Sequence, residues 1–267
     1  MSNLRVTYAS PPTLAIAETG KWNGKAASIV QLLARRTTFA NTTPFQDVGQ
    51  YLVGAVNAFT NPAVGTTYYA NSTSANDTAA SAGISKVRIV SLDAAGNQQV
   101  TSVTLNGATP VSIGAGYTYF QWMEASEMGT AGLVAAGDVT ISSVNGAATE
   151  STTHLMIKAG GNKSLDGKYK VPTGYTAYID GMYGSAIGQA MDLRLRVTAF
   201  TDDRTVSTGI YHFNGTLYLA SGTAMDKDLP YLKCVAGTDI KFSALPAATT
   251  GSPRCDAAAH LLVVSNT

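Results

Sequence analysis

The chain has 267 residues, of which 45% are hydrophobic, 8% aromatic and 13% charged. Its 18 basic and 17 acidic side chains leave a net charge of +1, so no global field draws it to nucleic acid or to an anionic membrane surface. The charged fraction is about half the ~25% of an ordinary soluble domain, the aliphatic content excludes a disordered chain, and three histidines among scattered carboxylates are a thin catalytic inventory.

The length allows one large β domain or two small ones, with a core that needs no metal or disulfide staple. No stretch approaches the ~20 apolar residues of a membrane span. Residues 1–13 carry Arg5 but no apolar run before a small-residue cleavage site, so no secretory signal is expected. Lys25–Arg36 (KAASIVQLLARR) places Ile29, Leu32 and Leu33 at helical spacing and is the best helical candidate. Residues 44–59 put Phe45, Val48, Leu52, Val56 and Phe59 near one stripe, but Gly49 and Gly54 interrupt it. A short strand around Tyr51, Leu52 and Val53 is favoured there.

From Thr66 onward the period is two. Val87 and Ile89 alternate with Lys86 and Arg88, and Asp93, Gly96 and Asn97 supply a hairpin loop. The chain returns over residues 100–106, with Val103 and Leu105 on one face, and turns again at Asn106-Gly107. In residues 117–123, Tyr117 and Tyr119 share one face and Phe120 and Trp122 the other. That means burial on both faces, or one face offered to a partner. Residues 139–144 alternate between Gly137-Asp138 and Asn145-Gly146. The polar stretch 147–153 reads as a boundary. Beyond it, Leu193, Leu195 and Val197 alternate with Asp192, Arg194 and Arg196. Asp202-Asp203 reads as a turn. Residues 210–213 and 216–219 flank Asn214-Gly215, the strongest short hairpin signal in the chain. Strands with Gly, Asn and Asp turns at this spacing predict a sandwich or barrel. The fold class is therefore all-β, with β-sandwich or jelly-roll-like units and an irregular or partly helical N-terminal segment. The expected division is an arm or small β segment over 1–65, a first sandwich over 66–150 and a second over 151–267. One large jelly roll is the alternative.

The side chains that carry chemistry do not form a recognisable constellation. His154, His212 and His260 fall on separate predicted strands, whereas a zinc site needs them to converge. Glu124 and Glu127 are three apart and point to opposite faces of a strand, which is not a glycosidase pair. Asp226 and Asp228 share a face, but calcium needs more oxygen ligands than this segment offers. Cys234 and Cys255 match neither a metal nor a redox spacing and are expected to be free thiols of a reducing cytosol. No cofactor and no metal are expected. The 13 tyrosines, Tyr175, Tyr178, Tyr183, Tyr218 and Tyr231 among them, suit half-buried strand positions, interfaces or a sugar platform.

Several segments resemble a recurrent unit of tailed-bacteriophage virion proteins. VRIVSLDAAGNQQVTSVTLNG (87–107) is followed by the aromatic strand YTYFQW (117–122), GDVTI (137–141) and Asn145-Gly146. NKSLDGKYKVPTGYTAY (162–178) then resembles a second block of the same proteins. The resemblance spans roughly residues 66–200 and rests on turn-and-strand patterns, so it assigns no functional residue. It implies a non-enzymatic particle component, made in the bacterial cytoplasm and residing in the virion. A capsid decoration or cement protein is the first expectation, a tail or head fibre or adaptor the second, and a carbohydrate-binding or carbohydrate-active β-sandwich the third. The expected partners are further copies of the chain, with a trimer favoured, and the major capsid protein or other virion proteins. Nucleic acid and membrane are not expected. The candidate contact residues are Trp22, Leu33 and Phe45 in the N-terminal segment, and Tyr117, Tyr119, Phe120 and Trp122 on the aromatic strand.

Overall fold

A computed structural model describes residues 20–22, 25–40, 42–53, 56, 58–200 and 210–267. The strands in chain order are β1 (Lys21–Trp22), β2 (Lys25–Arg36), β3 (Gln46–Asp47), β4 (Tyr68–Ser72), β5 (Ile84–Leu92), β6 (Gln98–Thr104), β7 (Val111–Gly114), β8 (Tyr119–Met128) and β9 (Val139–Ser142). They continue as β10 (Thr153–Ile157), β11 (Lys168–Lys170), β12 (Tyr175–Ile187), β13 (Met191–Val197), β14 (Phe213–Leu219), β15 (Ala224–Cys234), β16 (Asp239–Pro246) and β17 (Arg254–Ser265). No helix occurs among the described residues. The protein is all-β.

Four sheets enclose two cores. In the first sandwich, sheet β10-β9-β4-β7 faces sheet β6-β5-β8. Val87, Ile89, Val103, Phe120, Val139, Ile141, Leu155 and Ile157 fill the space between them. In the second, sheet β1-β2-β17-β12-β15 faces sheet β11-β16-β13-β14, with β3 added on β16. Its core holds Ile179, Leu193, Leu195, Val197, Phe242 and Leu261. The division expected at 150 falls inside the β9–β10 hairpin, since Leu155 pairs with Ile141. The segment before residue 66 supplies Leu32, Ala34, Phe39 and Val48 to the second core.

Two local expectations are corrected. The helical candidate Lys25–Arg36 is strand β2, in register with β17 from Ala27↔Val264 to Arg36↔Cys255. Leu32, Ala34 and Arg36 point inward, and Leu33 and Arg35 are half-buried on the outer face. A long antiparallel ladder with alternating burial overrides a local helical pattern of about three turns, which is marginal alone. The Asn214-Gly215 hairpin does not form either. Both residues lie within β14, opposite Arg196 and Leu195. Gly215 is there for packing: a Cβ would meet the Phe213 ring at 3.1 Å and Met182 Sδ at 3.4 Å. The Tyr51–Val53 segment is a turn and loop rather than a strand, and Asp202-Asp203 lies outside the described residues. The Asp93 loop forms as expected. Its carboxylate accepts the Ala95 and Asn97 amides at 2.9 Å, and Gly96 adopts φ +78°.

Cys234 and Cys255 are free and buried. They sit opposite Ala177 and Ala186, toward opposite ends of β12, and strands rise ~3.3 Å per residue. That separation is far beyond disulfide reach.

Candidate functional site

The aromatic strand β8 is the seam between the two sandwiches. Phe120 is fully buried in the first core, with Tyr117 at 4.9 Å between ring centroids and Tyr68 edge-on at 5.2 Å. Tyr119 faces the other way, and its hydroxyl donates to Asp239 Oδ1 of the second sandwich at 2.9 Å. Trp122 is half-buried and stacks on Tyr169 at 6.3 Å. Between these residues the β5–β8 register shifts. Gln121 uses its side-chain amide as a strand would use its backbone: Nε2 donates to the Lys170 carbonyl at 3.0 Å, and Oε1 accepts the Lys170 amide at 3.1 Å. The two-sided apolarity of this strand is thus burial on both faces. Tyr117, Tyr119 and Phe120 are at most 4% exposed and lie inside the chain, not on its surface. Both faces of the strand are already occupied by this chain's own side chains.

The N-terminal candidates lie elsewhere. Leu33 is half-buried on the outer face of β2, opposite Ala258. Phe45 is half-buried beneath the Arg194 guanidinium, 3.7 Å from the ring centroid. Trp22 pairs through its backbone with Lys25, and its side chain is outside the described residues. The seven candidates therefore do not form one patch.

A second feature of the seam is its buried charge. Lys168 is 2% exposed and donates to the His154 carbonyl at 3.0 Å. Asp166, equally buried, accepts the amides of Gln50 at 3.0 Å and Met156 at 3.1 Å. Asp47 accepts from Lys241 Nζ at 2.7 Å, Ser243 Oγ at 2.8 Å and the Phe59 amide at 2.9 Å. Arg36 is fully buried and donates to the Asp47 carbonyl and Gln46 Oε1. Burial pushes the Asp166 carboxyl up to about 6, the Lys168 ammonium down to about 8 and the His154 imidazole down to about 4. Such shifts often mark catalysis. Here the cavity beside Asp166, Lys168 and Tyr169 is about 10 Å³, room for one water at most. The charges tie β10 and β11 to residues 46–50, and Asp47 to Phe59. His212 and His260 lie away from this cluster, exposed to solvent.

The surface feature that sequence reasoning missed is the tip of the first sandwich. The loops over 73–83 and 129–137 are rich in Ala and Gly and carry few charges. They lie backbone on backbone. Gly129 and Thr130 donate to the carbonyls of Gly83 and Ala79 at 2.8 and 3.2 Å. A Cβ on Gly129 would lie 2.1 Å from the Ser81 carbonyl oxygen, and one on Gly132 2.3 Å from that of Gly83, so only glycine allows the approach. The fully buried Asp77 carboxylate ties both loops to the sandwich. Oδ1 accepts the amides of Ile84 at 2.8 Å and Ala136 at 2.9 Å. Oδ2 accepts the Gly137 amide at 2.9 Å and the Ser72 hydroxyl. From this base the 129–137 loop holds Leu133 82% exposed, with Val134 and Met128 also open to solvent. Asn162 Nδ2 donates to the Leu133 carbonyl at 3.0 Å and fixes the backbone at the apex. The loop is thus constrained while its leucine is open to solvent. The only sequence signal was an isolated Leu-Val pair inside a Gly/Ala loop.

No family model matches the sequence, and no curated protein matches it. Among solved structures, the chain is similar to infectious bursal disease virus of the Gx strain at 10% identity and a TM-score of 0.25, over 90% of this chain and 72% of that chain. The Gt strain gives 9% identity and 0.23 over the same shares. The VP2 subviral particle of that virus gives 10% identity and 0.22. A likeness at this level constrains neither fold nor function.

Proposed function

We propose that this chain is a non-enzymatic structural protein of a tailed-phage virion, acting as a capsid decoration or cement protein. The observation that carries the reading is the rigid, apolar tip around Leu133. Its residues are locked to each other before any partner arrives, so docking costs little further ordering. Burying one leucine contributes about 1.5–3 kcal/mol. Repetition around a symmetric oligomer, a trimer in this proposal, multiplies a weak contact into stable attachment. A protein that binds only the assembled shell stabilises that shell by mass action. The segments that resemble phage virion proteins fold here as coherent pieces: the β5–β6 hairpin, β8, β9 and the β11–β12 turn. They are scaffold, and the tip is the loop set upon it.

The test is occupancy on purified particles, measured by mass spectrometry against the major capsid protein. Copy numbers comparable to that protein are expected, with Leu133→Asp reducing occupancy at least tenfold while leaving the isolated chain folded. A copy number near that of the portal would move the protein to the tail, as a fibre or adaptor. Absence from particles would overturn the virion reading. Unchanged occupancy of Leu133→Asp would overturn the role of the tip.

A further inference from the structure

An open groove of about 460 Å³ runs along the outer face of β12, between β15 and β17. Its geometry follows from register. The sheet is irregular on both sides of Asp180. Against β17 it is an extra residue, since pairing passes from Ile179↔Leu261 to Gly181↔His260. Against β15 the surplus lies on the other strand, where Leu229–Tyr231 intervene between Ile179↔Leu232 and Gly181↔Asp228. The bulge dents the sheet, and Gly181 lies at the bottom of the dent, flanked by Asp228 and His260.

Four observations at this dent point to a ligand. Gly181 is the first. The other glycines in the described strands are forced: Gly114 has φ +86°, and a Cβ on Gly184 or Gly215 would press on Leu193 or Phe213. A Cβ on Gly181 would meet only the Lys227 carbonyl oxygen, at 3.4 Å, and its φ is ordinary. An unforced glycine weakens a strand; this one borders the irregularity at Asp180, and its missing side chain leaves the backbone open to close approach. Second, Asp180 Oδ1 is buried with no hydrogen-bond partner, which is costly unless a ligand donates to it. Third, Tyr231, in the unpaired stretch of β15, has φ +39°, a conformation unfavourable for a tyrosine. Fourth, Tyr231 and Tyr183 are 53% and 43% exposed at this groove. Tyr231 lies in the unpaired Leu229–Tyr231 stretch across from Asp180 at one end, and Tyr183 is two residues beyond Gly181 at the other.

We propose that this groove is a saccharide-binding site for neutral or amino sugars. Tyrosine rings offer an amphipathic surface on which the C–H face of a pyranose can lie. The walls mix acceptors, Asp180, Asp226 and Asp228, with donors, Lys227 and His260. Sugar hydroxyls both donate and accept and can use such a mixed wall fully. A lone cationic side chain would use only the carboxylates. The volume lies within the ~300–1,000 Å³ of small-ligand sites. Three carboxylates select against uronic and sialic acids by like-charge repulsion. The inference does not depend on whether the chain sits on a head or a tail.

The experiment applies the full-length protein to an oligosaccharide array holding neutral hexose, N-acetylhexosamine and uronic or sialic acid probes. Hits are followed by titration calorimetry, with arginine amide as a cationic control. Binding to neutral or N-acetylated probes is expected, with acidic probes silent. Gly181→Leu, whose Cβ would meet only the Lys227 carbonyl oxygen at 3.4 Å, is expected to fill the floor and lower affinity at least tenfold while the thermal midpoint holds. Should that variant misfold, Tyr231→Ala takes its place with the same expected loss. No binding to any array probe would overturn the proposal. So would affinity in the tested variant within twofold of the native protein, or a response to arginine amide alone, which would make the groove a receptor for a basic peptide.

Discussion

Replacing Asp77 by Asn tests whether one carboxylate holds the tip. The two side chains are nearly isosteric, so packing is constant and only hydrogen bonding changes. As a carboxylate, Asp77 accepts three backbone amides and a serine hydroxyl. As an amide it keeps one oxygen, enough for the Ile84 and Ala136 amides. Its NH₂ then faces the Gly137 amide, donor against donor. An unsatisfied buried amide costs about 1–3 kcal/mol, and the two retained bonds lose their charge assistance. The expected total is about 3 kcal/mol, a large share of the ~5–15 kcal/mol that stabilises a domain. With m near ~3 kcal/mol/M, the urea midpoint of the first sandwich should fall by about 1 M. Gly83→Ala approaches the same group from the other side, because its Cβ would lie 2.0 Å from Asp77 Oδ1. The double variant should therefore cost clearly less than the sum of the two. A loss under ~1 kcal/mol for Asp77→Asn, or strict additivity with Gly83→Ala, would refute the role assigned to the carboxylate.

Two further outcomes follow from the seam. The folded pKa of His154, about 4, lies below the ordinary imidazole value of 6.5 because of burial and nearby Lys168. The unfolded chain therefore binds more protons, and stability present above pH 6.5 is lost as pH falls toward 4, by about 3 kcal/mol. His154→Phe keeps the ring against Tyr68 and Phe120 and should remove that slope from a series of urea melts; equal slopes in both proteins would exclude the effect. Lys168→Met strands the buried Asp166 charge and the His154 carbonyl, at about 3 kcal/mol near pH 7. The cost should shrink by pH 4.5, because a carboxyl already raised to about 6 is then protonated in the fold. A cost that does not change with pH would place the loss in packing alone.

What the sequence disclosed follows the range of the forces involved. The Asp93–Asn97 loop and the alternation of β13 are local, and both were readable. β2 was misread because its conformation is set by β17, more than two hundred residues away, which no window around KAASIVQLLARR contains. Asn214-Gly215 misled because the same dipeptide that favours a tight turn also suits a strand crowded by Met182 and Phe213. Asp77 carries no motif at all, since its partners are backbone amides of two separate segments and the Ser72 hydroxyl of a third. The groove arises where Asp180 on β12 and Leu229–Tyr231 on β15 break the register of β12, β15 and β17, so Tyr183 and Tyr231 were visible as tyrosines but not as a pair.

The aromatic strand is the most instructive case: its two-sided apolarity is legible in the sequence, but the expected faces are not those observed. Tyr117 packs with Phe120 in the first core while Tyr119 and Trp122 face the second sandwich, on either side of a register shift at Gln121. Residues apolar on both faces must be covered on both, but the sequence does not say whether the cover is another chain or the same one. Here β8 meets β11 of the same chain, through Gln121 on Lys170 and Trp122 on Tyr169. The charges buried nearby explain why this seam is a fixed joint. An apolar seam can slide, whereas Lys168 and Asp166 have their partners in one arrangement only, and any other strands a buried charge. The tip belongs to the first sandwich and the groove to the second. A joint that does not slide sets the angle between them, so the proposed attachment through Leu133 would also fix the direction in which the Tyr183–Tyr231 groove is displayed.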